Sequence, residues 1–173
     1  MGRKALLVID MLNDFMSPDG ALFCGAQSRR IIPAVCSLLE EHRAAGSLVI
    51  FVQDSHQPDD REFELFPPHC LTGEWGSELI AELVPLPEEQ LLPKTRYSAF
   101  FGTNLESILA EACVEEVHLC GVCTSICVMD SCSDLRNRDY KVLLHVNGVA
   151  DFDLKAHEFA ITRMKNVLGA ELV

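Results

Sequence analysis

Apolar residues along the chain come in short unbroken runs rather than in alternation. "KALLVID" (residues 4–10) and "SLVIFVQD" (residues 47–54) each run into an acid. Both predict interior parallel strands covered on their two faces. Between them Ile31, Ile32, Val35, Leu38 and Leu39 recur at helical spacing, with Pro33 marking either the first turn or a kink and Gly46 a terminator. The periodicity lapses over residues 55–76, where Pro, Asp, Glu and Gly dominate. A loop of that length often serves a binding site. A short helix is predicted over residues 77–83 and a brief strand over residues 90–92. Thr103 and Glu106 have capping-box spacing ahead of a helix with Leu105, Ile108, Leu109 and Ala112 on one face. "VHLCGV" (117–122) then predicts a strand, "TSICVMDSCSDLRNR" (124–138) a helix, "KVLLHV" (141–146) a strand, and residues 153–167 a last helix capped by Asp153. This alternation predicts an α/β fold: a three-layer α/β/α sandwich with a mostly parallel central sheet and right-handed crossovers. No repeat, low-complexity tract or linker is evident, so residues 1–173 are expected to form a single domain.

Composition narrows the function classes. With 26 acidic against 14 basic residues, the net charge of -12 would repel a phosphate backbone and offers no polybasic stripe to anionic lipid. Neither nucleic acid nor membrane is an expected partner. The first apolar run is too short for a signal-peptide core or a membrane span, so a cytoplasmic protein is expected. The eight cysteines fall mostly within apolar segments, which in a reducing compartment predicts buried thiols rather than a disulfide framework.

In an open parallel sheet, ligands collect beyond the carboxyl ends of the strands. Asp10 and Asp54 stand at two such ends and the turn "GVCTSIC" at a third. Each acid could equally cap the following segment, and spacing alone leaves both roles open. "DSHQPDDREFELFPPHC" adds His56, Glu62 and His69 to Asp54, a mixed oxygen and imidazole set suited to a borderline ion such as zinc, manganese or iron. Asp54 and His56 would point to one side of an extended backbone, and the loop could return His69 to them. Asp59, Asp60 and Glu64 compete with Glu62 for a place, directly or through water.

Cys120, Cys123 and Cys127 lie in a predicted strand, a turn and a first helical turn, so their side chains diverge and suit neither a closed zinc cage nor a disulfide. Cys113, Cys120 and Cys132 are expected in the core. Cys127 falls near a helix N-terminus, where backbone dipoles favour thiolate. A thiol attacking an amide needs a group to take its proton and return it to the departing ammonia, which Asp10 could supply. Lys94, in the apolar and aromatic surround "LPKTRYSAF", could favour the ionised nucleophile and steady transition-state charge.

Taken together, "ALLVIDMLNDF", "VQDSH", "FPPHCLTGEWG", "KTRYSAFFGTNL" and "GVCTSICV" resemble the isochorismatase-like cysteine hydrolases, particularly the nicotinamidases, over nearly the whole chain. The resemblance implies an amidohydrolase that turns nicotinamide into nicotinate and ammonia through a thioester, with Asp10, Lys94 and Cys127 as the catalytic triad. It implies one divalent ion, zinc first and manganese or iron otherwise, held by Asp54, His56 and His69, with Glu62 as a further or water-mediated ligand. It also implies a cis peptide between Val122 and Cys123, an oxyanion hole from the backbone N–H groups of Cys123 and Cys127, and a homo-oligomer. Cys123 and Ser125 stand where many nicotinamidases carry Ala and Asp, and neither replacement removes a catalytic side chain. Phe15, Phe66 and Tyr97 suit a planar aromatic substrate. A small amide is therefore expected rather than isochorismate, whose two carboxylates would meet an acidic surface. Another amide or ureido compound, or a catalytically silent binding protein of the same fold, are the alternatives.

Overall fold

The computed structural model describes residues 3–173. Its centre is a six-stranded sheet, β1 (Arg3–Ile9), β2 (Leu48–Asp54), β3 (Gln90–Lys94), β4 (Val114–Val122), β5 (Lys141–Ala150) and β6 (Glu171–Leu172), in the order β3-β2-β1-β4-β5-β6. Every neighbouring pair is parallel. Five helices connect the strands: α1 (Asn13–Met16), α2 (Ile32–Ala44), α3 (Leu105–Glu111), α4 (Met129–Arg136) and α5 (Leu154–Asn166). On β1, Leu6 and Val8 pack with Val35 and Leu39 of α2, while Ala5, Leu7 and Ile9 pack with Leu109, Leu135 and Met164 on the opposite side. That two-sided burial is why β1 is apolar without a break from Ala5 to Ile9. Among the described residues no helix is long and apolar enough to cross a membrane.

The direction of winding reverses between β1 and β4, which opens a crevice beyond their carboxyl ends. Backbones approach closely there. A Cβ on Gly121 would lie 1.9 Å from the Ile9 carbonyl oxygen, and the residue's φ is +113°. Only glycine satisfies both conditions at this point.

Several expected elements differ. Residues 77–83 are not helical: a 3₁₀ turn (Trp75–Ser77) is followed by chain whose Leu79 bridges antiparallel to Leu12 and whose Ile80 N–H donates to the Met11 carbonyl at 3.1 Å. The backbone groups a helix would have paired internally are taken by the segment after β1. The capping box does not close either, because Glu106 reaches Arg138 at 3.2 Å, while Thr103 Oγ1 accepts from the Leu105 N–H at 3.2 Å. The helix after β4 opens with a π-helical turn (Thr124–Val128), and Cys113, expected in the core, is exposed in the turn after α3 with φ 52°. The two-residue β6 was not anticipated. Pro33 does sit in the first turn of α2, and Asp153 caps α5 by accepting from the N–H groups of Lys155 and Ala156.

Candidate active site

Asp10 directly follows β1, its φ of 50° breaks the strand, and its Oδ1 accepts from the Asp54 N–H at the end of β2 at 2.8 Å. β3 runs two residues beyond its expected end, and its last residue is Lys94, fully buried beneath the crevice. Lys94 Nζ donates to Asp54 Oδ1 at 2.7 Å and lies 3.5 Å from Cys127 Sγ. It also stands 2.9 Å from Asp10 Oδ2, although that oxygen has no well-formed hydrogen bond. Asp10, Lys94 and Cys127, widely separated in sequence, thus share one buried spot. The π-helical turn places Cys127, with the Val128 N–H reaching the Cys123 carbonyl at 3.2 Å. The peptide between Val122 and Cys123 is cis. Asp151, buried and not anticipated from sequence, accepts from the Ser125 N–H at 2.7 Å and steadies the turn.

The electrostatics of this spot correct one expectation. Burial pushes the Cys127 thiol well above its ordinary value, and the Asp10 and Asp54 carboxylates add to the effect against the pull of Lys94. Cys127 therefore rests as a thiol, and the single turn of dipoles does not make it a thiolate. Burial likewise raises Asp10, to about 6, with Lys94 opposing and Asp54 reinforcing. Lys94 is held well above its usual range: burial alone would lower it, but Asp10, Cys127 and Asp54 outweigh that. Asp54 is held low, since Lys94, His56 and His69 together overcome its burial.

The loop after β2 does return on itself. His56 pairs with Leu71 in an isolated parallel bridge, which brings His69 beside it with ring centroids 4.8 Å apart. Asp14, not singled out from sequence, fastens the loop by accepting from the Cys70 N–H at 2.7 Å. A Cβ at Gly76 would fall 2.1 Å from that carboxylate, which explains the glycine. Asp54, His56, Glu62 and His69 are all buried, and one ligand atom of each lies within 4.8 Å of the others. His56 Nδ1 is paired with Asp60 at 3.0 Å and His69 Nδ1 with the Pro67 carbonyl at 2.9 Å. Both Nε2 atoms are thereby turned toward Asp54 Oδ2, at 3.2 and 3.5 Å. Outer hydrogen bonds of this kind orient metal-ligating imidazoles. His56 Nε2 and Glu62 Oε2 are buried without hydrogen-bond partners. The donor set and these orphaned atoms fit a borderline divalent ion. Asp60, one of the competing acids in the loop, is thus a partner of His56; Arg96, which donates to it at 2.9 Å, was missed.

A cavity of about 360 Å³ opens over these groups, lined by Asp10, Cys127, Asp54, Glu62 and His69. Phe15, Phe66 and Tyr97 all line it, and Phe23, Cys24, Ile126 and Phe152 join them without having been anticipated. Most of its wall is apolar, and the polar groups converge at one end, the usual form of a small-molecule site. The thiols of Cys24 and Cys123 lie 3.2 Å apart in that wall.

Comparison with known proteins gives concordant results. The family model described as the Isochorismatase domain matches residues 4–172. The chain is similar to the crystal structure of nicotinamidase/pyrazinamidase PncA from Bacillus subtilis, at 40% identity and a TM-score of 0.95 over 99% of each chain. It is similar to a pyrazinamidase of Pyrococcus horikoshii solved in complex with zinc, at 29% identity and a TM-score of 0.93, covering 99% of this chain and 98% of that one. A relative from Arabidopsis thaliana, 35% identical over 95% of this chain and 89% of its own length, is named "probable inactive nicotinamidase".

Proposed function

Because the chain belongs to the isochorismatase family of hydrolases, we propose that it is a metal-assisted cysteine amidohydrolase converting nicotinamide to nicotinate and ammonia. The observation that carries this is the meeting of Cys127, Lys94 and Asp10 beneath an aromatic-walled cavity whose far polar groups are suited to a metal. Asp10, which shares the buried spot beside Lys94 with Cys127, takes the proton of the Cys127 thiol as Sγ attacks the amide carbon. The backbone N–H groups of Cys123 and Cys127 are assigned to the resulting oxyanion. Asp10 returns the proton to the amide nitrogen, the C–N bond breaks and ammonia leaves a thioester on Cys127. Water then gives one proton to Asp10 and its oxygen to the acyl carbon; as the C–S bond breaks, Asp10 passes that proton to the Cys127 sulfur and restores the thiol, and the released acid gives up water's second proton to become nicotinate. A carboxyl raised to about 6 suits a group that must both accept and donate near neutrality. Lys94 keeps Asp10 anionic between turnovers and stays cationic throughout.

Asp54, His56 and His69, with Glu62 beside them, would hold the divalent ion, zinc first; bound there, it supplies an electrophilic anchor for a ring nitrogen. Phe15, Phe66 and Tyr97 would flank the ring. The eight free thiols among the described residues suit a reducing, cytoplasmic setting. Exposed Phe152, Leu154 and Phe159 at the start of α5 offer an apolar surface for a homo-oligomer, which light scattering would register as a mass above 19.2 kDa.

Ammonia release from nicotinamide, pyrazinamide and ureido acids, with isochorismate loss followed in parallel, tests the substrate. Negligible turnover of nicotinamide beside efficient turnover of another compound would reassign the substrate while keeping the cysteine mechanism. A catalytically silent binding protein of the same fold is disfavoured by the presence and mutual packing of Asp10, Lys94 and Cys127. Tight nicotinamide binding without ammonia release would establish it.

A further inference from the structure

The chain has six histidines, and three of them meet away from the cavity. His118 lies on β4 opposite Leu6, well before the end of β1, with its side chain on the α2 side of the sheet. His42 comes from the last turn of α2. His145 comes from β5, where pairing with β4 shifts between Leu119 and Gly121: Leu119 faces Leu144, yet Gly121 faces Val149. The extra residues form an irregularity of the kind that re-aims side chains near functional positions. His145 is there brought to within 2.7 Å of His118, Nε2 to Nδ1. His42 packs edge-on against His118, ring centroids 4.4 Å apart. One ring nitrogen of each histidine lies within 4.8 Å of those of the other two.

We propose that His42, His118 and His145 form a second metal site, for a borderline divalent ion of the zinc class, which fastens α2 to β4 and β5. Three imidazoles converging on one point are a familiar zinc donor set, with a fourth position left for water. The partly exposed His145 provides the side from which ion and water enter. His118 Nε2 pairs with Glu116 Oε1 at 3.0 Å. This carboxylate fixes the tautomer, leaving the Nδ1 lone pair directed at His145, and it is the outer partner expected of a ligating imidazole. Lys4 and Lys141, the charged neighbours on β1 and β5, lie 2.7 and 2.9 Å from Glu116 and keep it anionic. His42 Nδ1 is buried with no hydrogen-bond partner, an unused polar atom in a layer otherwise filled with apolar side chains. Ligation requires the neutral ring. The His145 N–H that donates to His118 would move to the other ring nitrogen on binding, and the two facing nitrogens would separate to about 3.3 Å around an ion at about 2.0–2.1 Å from each.

Equilibrium dialysis of the tag-free full chain against zinc, with bound metal measured by mass spectrometry, tests this. His145→Gln should bind one zinc fewer than the parent chain, and His69→Ala should keep the ion that His145→Gln loses, so that the double variant loses both. Zinc should raise the melting temperature of His69→Ala but not of His69→Ala/His145→Gln. A full zinc complement in folded His145→Gln would overturn the proposal. Should that variant fail to fold, Glu116→Gln serves instead: it keeps all three ligands, so zinc affinity at this site should fall about 10–100-fold. Unchanged affinity in that variant would equally overturn the site.

Discussion

Replacing Lys94 by methionine probes the charge arrangement under the cavity most directly. Methionine keeps an unbranched apolar stem but removes the ammonium that stands 2.9 Å from Asp10 and 2.7 Å from Asp54. All three groups are buried, so water cannot replace the lost charge. Removing one partner of such a buried pair costs about 3–5 kcal/mol, and with a urea m-value of roughly 2 kcal/mol/M the unfolding midpoint should fall by about 2 M. The deficit should also depend on pH. Burial already raises Asp10 to about 6 with Lys94 in place, and losing the cation raises it further. A carboxyl whose folded-state value exceeds its unfolded one binds its proton more tightly in the native chain, so stability is gained below that value and lost as pH rises through it. Urea unfolding followed by circular dichroism, on chelator-treated protein at pH 5.5 and pH 8, should therefore show the larger deficit at pH 8. A midpoint within about 0.3 M of the parent chain at pH 8, or a larger deficit at pH 5.5, would refute the view that Lys94 offsets these two carboxylates.

Other outcomes follow from the same geometry. Cys127→Ala should abolish ammonia release while leaving the far-ultraviolet spectrum intact; residual turnover near the parent rate would remove Cys127 from the mechanism. Because Cys127 rests as a buried thiol and Cys113 is exposed, brief iodoacetamide treatment mapped by mass spectrometry should label Cys113 first, and saturating nicotinamide should slow labelling of Cys127, in the cavity, but not of Cys113. His69→Ala should lose one equivalent of bound divalent metal with the fold retained, and an unaltered metal content would exclude His69 as a ligand. Gly121→Ala forces a Cβ to 1.9 Å from the Ile9 carbonyl at a φ of +113°, so a loss of at least about 3 kcal/mol in unfolding free energy is expected; a loss under about 1 kcal/mol would mean that β1 and β4 can part locally.

The strands were legible because a sheet covered on both faces fills its strands mainly with apolar residues, and runs such as residues 5–9 admit little else. The site was legible where chemistry and topology coincide: Asp10, Asp54, Lys94 and Cys127 each follow or end a strand. Residues 77–83 misled because Leu79, Ile80 and Leu83 are spaced as on a helix, yet the backbone is claimed by Leu12 and Met11 across the chain. Local periodicity carries no record of such a partner. Asp60, Arg96 and Asp151 were illegible as supports for the same reason, since their roles exist only through residues distant in sequence or packed by the loop. Cys127 shows a subtler limit. Its place in a helical turn could be inferred, but not that two carboxylates and complete burial would outweigh the neighbouring lysine.

Asp54 gives one oxygen to Lys94 and turns the other toward His56 and His69. A single carboxylate is therefore common property of the proposed catalytic and metal sites, and neither can be redesigned as a separate module. Exchanging the ligand set for one that prefers another ion would alter the charge felt at Lys94, and a bulkier or neutral base in place of Lys94 would be transmitted to the histidines. An engineer seeking a new substrate would do better to leave this hinge of charge alone and vary Phe23 and Phe152, which belong to the apolar wall of the cavity.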